Sequence, residues 1–269
     1  MDANREDAMS GIDTTVPHSA RIWNYWLGGK ENYSADREVG DIISGQNPGI
    51  ITIAREQRYF LARAVRFLTR EVGIRQFLDI GTGLPAVDNT HELAQREAPE
   101  SRVVYVDNDP LVLAHARALL ASAPQGATDY IDADIHHPDT ILTEASKTLD
   151  FTRPIALMLL GITAHITDDT AYTIVDRLMN ALPSGSYLVL CDDTEVINPE
   201  AMRAMIHQWN SSSDNPRINR SPQQLHRFFE GLDLLDPGLV SITRWRPELS
   251  PLTNESVEID DFGGVARMP

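Results

Sequence analysis

The run of residues 77–84 joins an apolar strand to a glycine turn, and it constrains the fold more than any other stretch of the chain. Its sequence is FLDIGTGL, so Asp79 precedes the turn and Gly81 and Gly83 lie within it. A residue without a Cβ adopts positive φ readily and lets a ligand lie against the backbone. The pattern therefore predicts a nucleotide-type pocket at the end of a β-strand, with the bend at Thr82 as its floor.

The residues after the turn bear on which cofactor the pocket binds. The motif G-x-G-x-x-A that starts at Gly81 satisfies the dinucleotide fingerprint, in which a helix begins inside the motif and points its amides at a pyrophosphate. Here Pro85 cannot donate, and the best helix start is Asn89, with Glu92 placed for a capping box. Such a turn suits S-adenosylmethionine, whose ammonium group Asp79 would approach. The alternative is a glycine turn that only joins strand to helix.

Charge and composition exclude several functions. The chain of 269 residues has a net charge of -16, whereas nucleic-acid binding needs a basic surface. No apolar run approaches the roughly 18 residues of a membrane span, and residues 1–13 are too polar for a signal peptide. We therefore expect a cytoplasmic protein with neither nucleic acid nor membrane as a partner. Cys191 lies in an apolar run and is expected to be buried and inert.

The N-terminal region is predicted to be a helical addition to one large α/β domain. We expect a disordered tail at 1–15, a helical lid at 16–75 and the cofactor-binding domain at 76–269. Residues 19–33 hold two of the four tryptophans and end after a Gly-Gly hinge. They form either an amphipathic helix docked on the core or a lid whose Tyr25, Lys30 and Asn32 face the pocket.

A second predicted helix spans residues 53–72, where apolar residues recur at helical spacing and Gly73 supplies the stop. It carries several arginines. Most such side chains are solvated or paired, but one that faces the glycine turn can bind the carboxylate of a cofactor. Arg58 is the candidate.

Two further strands end in acidic residues that complete the predicted pocket. Residues 103–107 end in Asp107, which is 26 positions after Gly81, near the roughly 20 typical of a carboxylate that binds ribose hydroxyls. Asp109 directly precedes Pro110 and is the expected helix N-cap. Residues 130–135 form a short strand-like run, in which Asp134 is placed to accept the adenine amino group and Ile135 to pack on its ring.

The carboxyl ends of the later strands offer the catalytic candidates. Residues 154–161 are apolar throughout, as in a central parallel strand, and His165 and residues 192–195 follow strand ends, where open α/β sheets bind ligands. His165 is the candidate general base because the unperturbed pKa of histidine lies near neutrality. A histidine that caps or packs is the alternative. His136, His137 and Asp139 do not make a complete ligand set, so no metal is expected.

The remaining sequence predicts a polar, mobile tract at 210–220, which is either a substrate gate or plain surface, and two C-terminal strands at 239–245 and 260–268. Strands and helices alternate from residue 77 to 191, the order of a doubly wound α/β sheet.

Several segments together resemble a bacterial family of S-adenosylmethionine methyltransferases once filed as a domain of unknown function. They are ARIWNYWLGGK at 20–30, FLDIGTGLP at 77–85, NTHE at 89–92, VYVDNDP at 104–110, GSYL at 185–188 and GGVAR at 263–267. The resemblance covers about residues 16–268. It implies a class I methyltransferase fold, a Rossmann-like doubly wound sheet of seven strands with the last one antiparallel and an N-terminal helical extension. It also implies cofactor binding by Asp79, Gly81, Gly83, Asp107 and Asp134.

The sequence thus predicts a methyltransferase that moves the methyl group of S-adenosylmethionine to an oxygen or nitrogen of a small molecule. The alternatives are an NAD(P)-dependent oxidoreductase and a non-catalytic S-adenosylmethionine-binding regulator. His165 is the predicted catalytic residue. The predicted cofactor contacts are Tyr25, Lys30, Asn32, Arg58, Asp79, Gly81, Thr82, Gly83, Asp107, Asn108, Asp134 and Ile135. The sequence determines neither the identity of the acceptor nor the oligomeric state.

Overall fold

One mixed β-sheet organises the part of the chain that the structure describes. This structure is a computed structural model, and it describes residues 13–119, 122–213, 215–247 and 257–269. Most of the predicted disordered tail at 1–15 lies outside the described residues. The strands are β1 Gln76–Ile80, β2 Arg102–Asp107, β3 Ala127–Asp132, β4 Ala156–Leu160, β5 Tyr187–Asp193, β6 Asp233–Leu234, β7 Val240–Ser241 and β8 Asp261–Arg267.

The strand order is β3-β2-β1-β4-β5-β8-β6, and the two-residue strand β7 also pairs with β8. Strands β1 to β5 are parallel to one another, whereas β8 runs antiparallel to β5, β6 and β7. The predicted doubly wound sheet with an antiparallel last strand is confirmed, and β7 adds one short strand to the expected seven. The order reverses between β1 and β4, so ligands are expected above the carboxyl ends of these strands.

Helices cover both faces of the sheet and extend beyond it at the N-terminal side. They are α1 Ser19–Trp26, α2 Ser34–Gln46, α3 Gly49–Phe67, α4 Thr90–Glu97, α5 Pro110–Leu119, α6 Pro138–Ala145, α7 Asp168–Met179, α8 Pro199–Ser212 and α9 Pro222–His226. Helix α3 begins at Gly49, earlier than predicted. It continues as a π-helical turn, Leu68–Val72, and ends at Gly73, whose φ of 86° is the left-handed cap expected there.

The predicted strand at 239–245 is wrong after Ser241, because Ile242–Arg244 forms a 3₁₀ turn. The turn buries Ile242 and Trp245 completely. Arg63 on α3 donates to the backbone oxygens of both residues, and the ring of Trp245 packs edge-on against Phe60 at 5.5 Å. Side-chain packing on α3 therefore replaces the hydrogen bonds that a longer strand would have made.

Alternating residues of the central strands fill two cores, one on each face of the sheet. Leu78 and Leu157 belong to the core under α6 and α7, whereas Phe77 and Met158 belong to the core under α3 and α4. A parallel sheet covered on both faces requires such apolar runs. Cys191 is fully buried in the second core, and burial raises the pKa of its thiol well above the usual value, so the thiol is unreactive as predicted.

A third core joins the N-terminal helices to α8. It contains Ile22 and Trp26 of α1, Ile43 of α2, Ile53 of α3 and Trp209 of α8. The rings of Trp26 and Trp209 are 6.2 Å apart. This packing holds α1 across the carboxyl edge of the sheet. Within the described ranges, no helix combines the length and the apolar composition that a membrane crossing requires.

Candidate active site

A cavity of about 500 Å³ opens at the carboxyl ends of β1 to β4. Its floor comes from the turn after β1 and from the residues that follow β2, β3 and β4, while α1 and residues 28–31 form a partial roof. The position agrees with the rule that open α/β sheets bind ligands where the strand order reverses. The cavity brings together these predicted residues: Lys30, Arg58, Asp79, Gly81, Thr82, Gly83, Asp107, Asn108, Asp134, Ile135 and His165.

The glycine turn has the backbone conformation that its sequence predicts. Gly81 and Gly83 have φ of 75° and 63°. A Cβ on Gly81 would lie 2.6 Å from the Cβ of Ile162, whereas a Cβ on Gly83 would meet no described atom within 4 Å. The first glycine is therefore required by close packing and the second leaves space on the cavity side. Helix α4 begins only after the N-cap Asn89, with Glu92 completing the capping box, as predicted.

Asp79 and Arg58 both line the cavity beside the turn, close enough for the charge of Arg58 to act on Asp79. Asp79 is buried and accepts a 2.6 Å hydrogen bond from the hydroxyl of Thr90. Burial raises its pKa to about 6, although the Thr90 hydrogen bond and the Arg58 charge act in the opposite direction. Arg58 donates to the backbone oxygen of Asp88 at 3.0 Å. The cavity thus presents a carboxylate and a guanidinium. These are the charges that the ammonium and carboxylate groups of an amino-acid head require.

Asp107 links the glycine turn to the end of β2. Its Oδ2 accepts from the N–H of Gly83 at 2.9 Å, and its Oδ1 accepts from the N–H of Asp109 at 3.0 Å. Asp109 in turn accepts from the N–H of Leu111 at 2.8 Å, so its predicted role as the N-cap of α5 is confirmed. A carboxylate has about four acceptor positions, and these two hydrogen bonds leave acceptor capacity on Asp107 for a ligand.

Asp134 is held in place by His136. Its Oδ1 accepts from the backbone N–H of His136 at 2.9 Å and lies 2.7 Å from the ring Nδ1. Partial burial alone would raise the pKa of Asp134, but the hydrogen bonds and charge of His136 outweigh it, so the pKa is lowered and the carboxylate stays ionised. Among the described residues, no group of three or more His, Cys, Asp or Glu side chains is placed to hold a metal ion.

His165 lies at the other end of the cavity, in a 3₁₀ turn after β4. Its Nδ1 is 3.2 Å from the backbone oxygen of Pro216. Burial, with the nearby positive charge of Arg217, lowers its pKa to about 3. The expectation of a pKa near neutrality is therefore wrong for this position, and the imidazole is neutral at physiological pH.

The polar tract at 210–220 contains two buried arginines, which contradicts the alternative that it is plain surface. Arg217 and Arg220 are 2% and 1% exposed. Arg217 pairs with Asp193 at 2.8 Å, and Arg220 donates to the backbone oxygen of Thr163 at 2.8 Å. Asp192 and Asp193, predicted to meet a substrate, are the last two residues of β5 and pair with Arg220 and Arg217 instead, and neither lines the cavity.

Sequence comparison identifies the family. A family model described as S-adenosyl methyltransferase matches residues 5–269. The chain belongs to this S-adenosyl methyltransferase family. The chain is similar to a DUF574 family protein from Streptomyces avermitilis, with 44% identity, coverage of 96% of this chain and 99% of that chain, and a TM-score of 0.90. A candidate methyltransferase from Thermobifida fusca has 37% identity, coverage of 96% and 97%, and a TM-score of 0.88.

More distant structures share the fold of this methyltransferase. Magnesium protoporphyrin IX methyltransferase from Synechocystis, solved with bound S-adenosylhomocysteine (SAH), is 10% identical over 92% of this chain and 93% of that chain, with a TM-score of 0.55. No curated protein matches the chain. The family makes the chain an enzyme that uses S-adenosylmethionine, and it decides against both the oxidoreductase and the non-catalytic regulator.

Two predicted cofactor contacts of this methyltransferase lie outside the cavity. The hydroxyl of Tyr25 donates to Asp41 at 2.7 Å on the surface of the N-terminal helices. Asn32 donates to the side-chain oxygen of Asn24 and to the backbone oxygen of Gly29, both at 3.0 Å. Neither side chain lines the cavity, so these two predictions are not supported by the geometry.

Several cavity residues were missed by sequence reasoning. The lining residues on α1 and just after it include Ala20, Trp23, Asn24 and Leu27. Successive members of this set are three, one and three positions apart, so they lie on one helical face. Helical periodicity could have found this face, because residues three and four apart are neighbours on a helix. His18 and Arg217 had no comparable signal, since their positions depend on contacts with distant segments.

Proposed function

We propose that this methyltransferase transfers the methyl group of S-adenosylmethionine to an oxygen or nitrogen of a small-molecule acceptor. The observation that carries the proposal is the roof over the strand ends, where Trp23, Leu27 and Lys30 line the same cavity as His165. A roofed cavity of about 500 Å³ suits a compact acceptor. The net charge of -16 further disfavours a nucleic-acid acceptor.

The cofactor assignments follow the charges and the open space in the cavity. We assign Asp79 to the ammonium group and Arg58 to the carboxylate, because these side chains lie in one corner. Asp107 would accept from the ribose hydroxyls with its remaining lone pairs, and Asp134 would accept from the adenine amino group. The other proposed contacts are the backbone of the turn at Gly81, Thr82 and Gly83, the packing surface of Ile135, and the side chains of Asn108 and Lys30.

The cofactor supplies an activated methyl group, so the protein contributes mainly by aligning the two reactants. The acceptor atom forms a bond to the methyl carbon while the carbon–sulfur bond breaks and its electron pair goes to sulfur. A proton carried by the acceptor leaves to water. Because partial burial and the charge of Arg217 make His165 a weak base, we assign it a hydrogen bond that orients the acceptor. A proton on its Nδ1 is donated to the backbone oxygen of Pro216, so Nε2 is the atom that accepts the hydrogen bond from the acceptor molecule.

A transfer assay with methyl-labelled S-adenosylmethionine tests the acceptor class. Phenols, amines and carboxylates are compared with transfer RNA and an unfolded protein, and transfer to members of the small-molecule set is expected. The His165→Ala variant is expected to lose about tenfold in turnover, the effect of losing one hydrogen bond to the acceptor, while its SAH affinity stays unchanged. His226→Ala, on the exposed surface, is the control. Label found only in the polymers would contradict the proposal.

A further inference from the structure

His18 connects the N-terminal helices to the cofactor end of the cavity. It precedes α1, lines the cavity, and places its Nδ1 2.9 Å from Oδ2 of Asp109. The side chain of Asp109 is 8% exposed, whereas that of His18 is 38% exposed. The pair therefore joins the start of α1 to the Asp107 loop, the residues that directly follow Asp107 at the end of β2.

Asp36 fixes His18 from the opposite side. The carboxylate of Asp36 is fully buried and accepts from the backbone N–H of His18 at 2.9 Å and of Tyr33 at 2.8 Å. Arg21 donates to the same carboxylate at 3.1 Å. A buried carboxylate with three donors holds its neighbours firmly, because an unpaired buried charge is costly. The backbone of His18 thus has a fixed position relative to α1 and α2, and its imidazole reaches across to Asp109.

The contacts form one continuous series from the glycine turn to the N-terminal helices. Gly83 donates to Asp107, the N–H of Asp109 donates to the other oxygen of Asp107, and Asp109 contacts His18. Burial alone would raise the pKa of Asp109, but the hydrogen bond and charge of His18 outweigh it, so the pKa is lowered. The ionised carboxylate is therefore the form that the His18 contact stabilises.

We propose that His18 is a positioning residue for the cofactor, which locks the N-terminal helices onto the Asp107 loop and so fixes the roof over the ribose site. The inference rests on the proposed contact between Asp107 and the ribose. Loss of the His18 contact leaves the strand ends and the third core intact, but it removes the contact that ties the start of α1 to the residues after Asp107. The KM for S-adenosylmethionine is then expected to rise while kcat changes less, because His165 at the reacting end keeps its own contacts with the Pro216 oxygen and the Trp209 ring.

Titration calorimetry with SAH on the full-length chain tests the pair. His18→Ala is expected to weaken SAH binding about tenfold, the effect of losing one close polar contact with a carboxylate. His18→Asn should restore most of the affinity, since its amide nitrogen can occupy the place of Nδ1. Asp109→Ser keeps an N-cap for α5 but is too short to reach His18. The double variant should bind SAH no more weakly than either single variant, because both remove the same contact.

A second readout separates positioning from stability. In the wild type, SAH should slow tryptic cleavage at Arg21 and Lys30, whereas His18→Ala should be cleaved quickly with or without SAH. His226→Ala is the surface control. Wild-type affinity in His18→Ala, or losses that add fully in the double variant, would overturn the inference. If Asp107→Ala binds SAH like the wild type, the ribose assignment fails instead, so the two failures are distinguishable.

Discussion

The carboxylate of Asp107, at the end of β2, accepts a hydrogen bond from the backbone N–H of Gly83 across 2.9 Å. This contact joins the first acidic strand end to the glycine turn after β1, so the two parts of the proposed adenosine site have a fixed separation. A site in which the acceptor groups are already oriented loses less conformational entropy when a ligand binds. The relationship explains why a glycine turn and an acid distant in sequence act as one binding unit.

The two glycines of the turn should respond differently to alanine. Gly81→Ala combines a positive φ with a Cβ only 2.6 Å from the Cβ of Ile162, which cannot rotate away. The substitution is expected to lower the free energy of unfolding by about 3 kcal/mol, the sum of left-handed strain and overpacking. Gly83→Ala has strain without a clash and should cost about 1 kcal/mol. Urea denaturation checks the difference, and equal losses would contradict the described packing.

Cofactor affinity should fall in acid because of Asp79. Its pKa is about 6, so its carboxylate becomes protonated as the pH drops below that value and no longer attracts an ammonium group. SAH binding is expected to weaken below pH 6 and to be level above pH 7. Calorimetry between pH 5 and 8 measures this profile. In Asp79→Asn the affinity should be low throughout and the step near pH 6 should vanish, whereas an unchanged step would assign the titration to another group.

The same pKa affects the stability of the free protein with the opposite sign. The folded-state pKa of Asp79 lies above its ordinary value of 3.8, so the folded state binds the proton more tightly than the unfolded state. Its contribution to stability is fully present below about pH 4 and is lost as the pH rises through 6. The free energy of unfolding of Asp79→Asn, relative to that of the wild type, should therefore increase between pH 5 and pH 7.5, because only the wild type loses stability over this range. Urea titrations at both pH values test this, and a constant difference would count against it.

Arg220 should be far more important for stability than an exposed arginine. Its fully buried guanidinium donates to the backbone oxygen of Thr163 and pairs with Asp168 and Asp192. Arg220→Ala leaves buried Asp192 without its cation and is expected to cost about 3 to 5 kcal/mol. Arg177→Ala removes an exposed pair with Asp139 and should cost less than about 1 kcal/mol. Thermal and urea unfolding would show the gap, and similar losses would refute the assigned burial.

Gly29, in the roof of the cavity, can be compared with Gly45 on α2, which does not line the cavity. A Cβ on Gly29 would lie 2.3 Å from the side-chain nitrogen of Asn24, the residue that accepts from the N–H of Glu31. Gly29→Ala should displace this loop and weaken SAH binding severalfold with a small change in unfolding free energy. Gly45→Ala, in α2, meets no described atom within 4 Å and should leave binding unchanged. Equal SAH affinities in both variants would show that the loop does not contribute to the site.

The parts of the structure that depend on local sequence could be predicted. The strand at 76–80, its glycine turn and the delayed helix with Asn89 and Glu92 follow from side-chain chemistry within a few residues. The alternation of strands and helices gave the doubly wound sheet, since a parallel pair requires a crossover. Asp107 and Asp134 could be placed because strand ends in such a sheet face one edge.

The parts that depend on distant contacts could not be predicted. Arg217 lies in a polar tract, and nothing local reveals that Trp23 and Trp209 flank its guanidinium at 5.6 and 5.3 Å. The pKa of His165 likewise depends on burial beside that arginine. Tyr25 was predicted to face the pocket if residues 19–33 formed a lid, but its hydroxyl donates to Asp41 instead. Residue type therefore identified candidates, and only tertiary packing determined which of them reach the cavity.

The most direct test of the account is calorimetry of the wild type and Asp107→Ala with S-adenosylmethionine, SAH and NAD. The wild type is expected to bind S-adenosylmethionine and SAH but not NAD. Asp107→Ala should lose SAH affinity at least tenfold, as expected for the loss of charge-assisted hydrogen bonds to ribose, and its unfolding midpoint should fall because the N–H groups of Gly83 and Asp109 lose their acceptor. Undiminished SAH binding by Asp107→Ala would contradict the claim that acids at successive strand ends hold the adenosine.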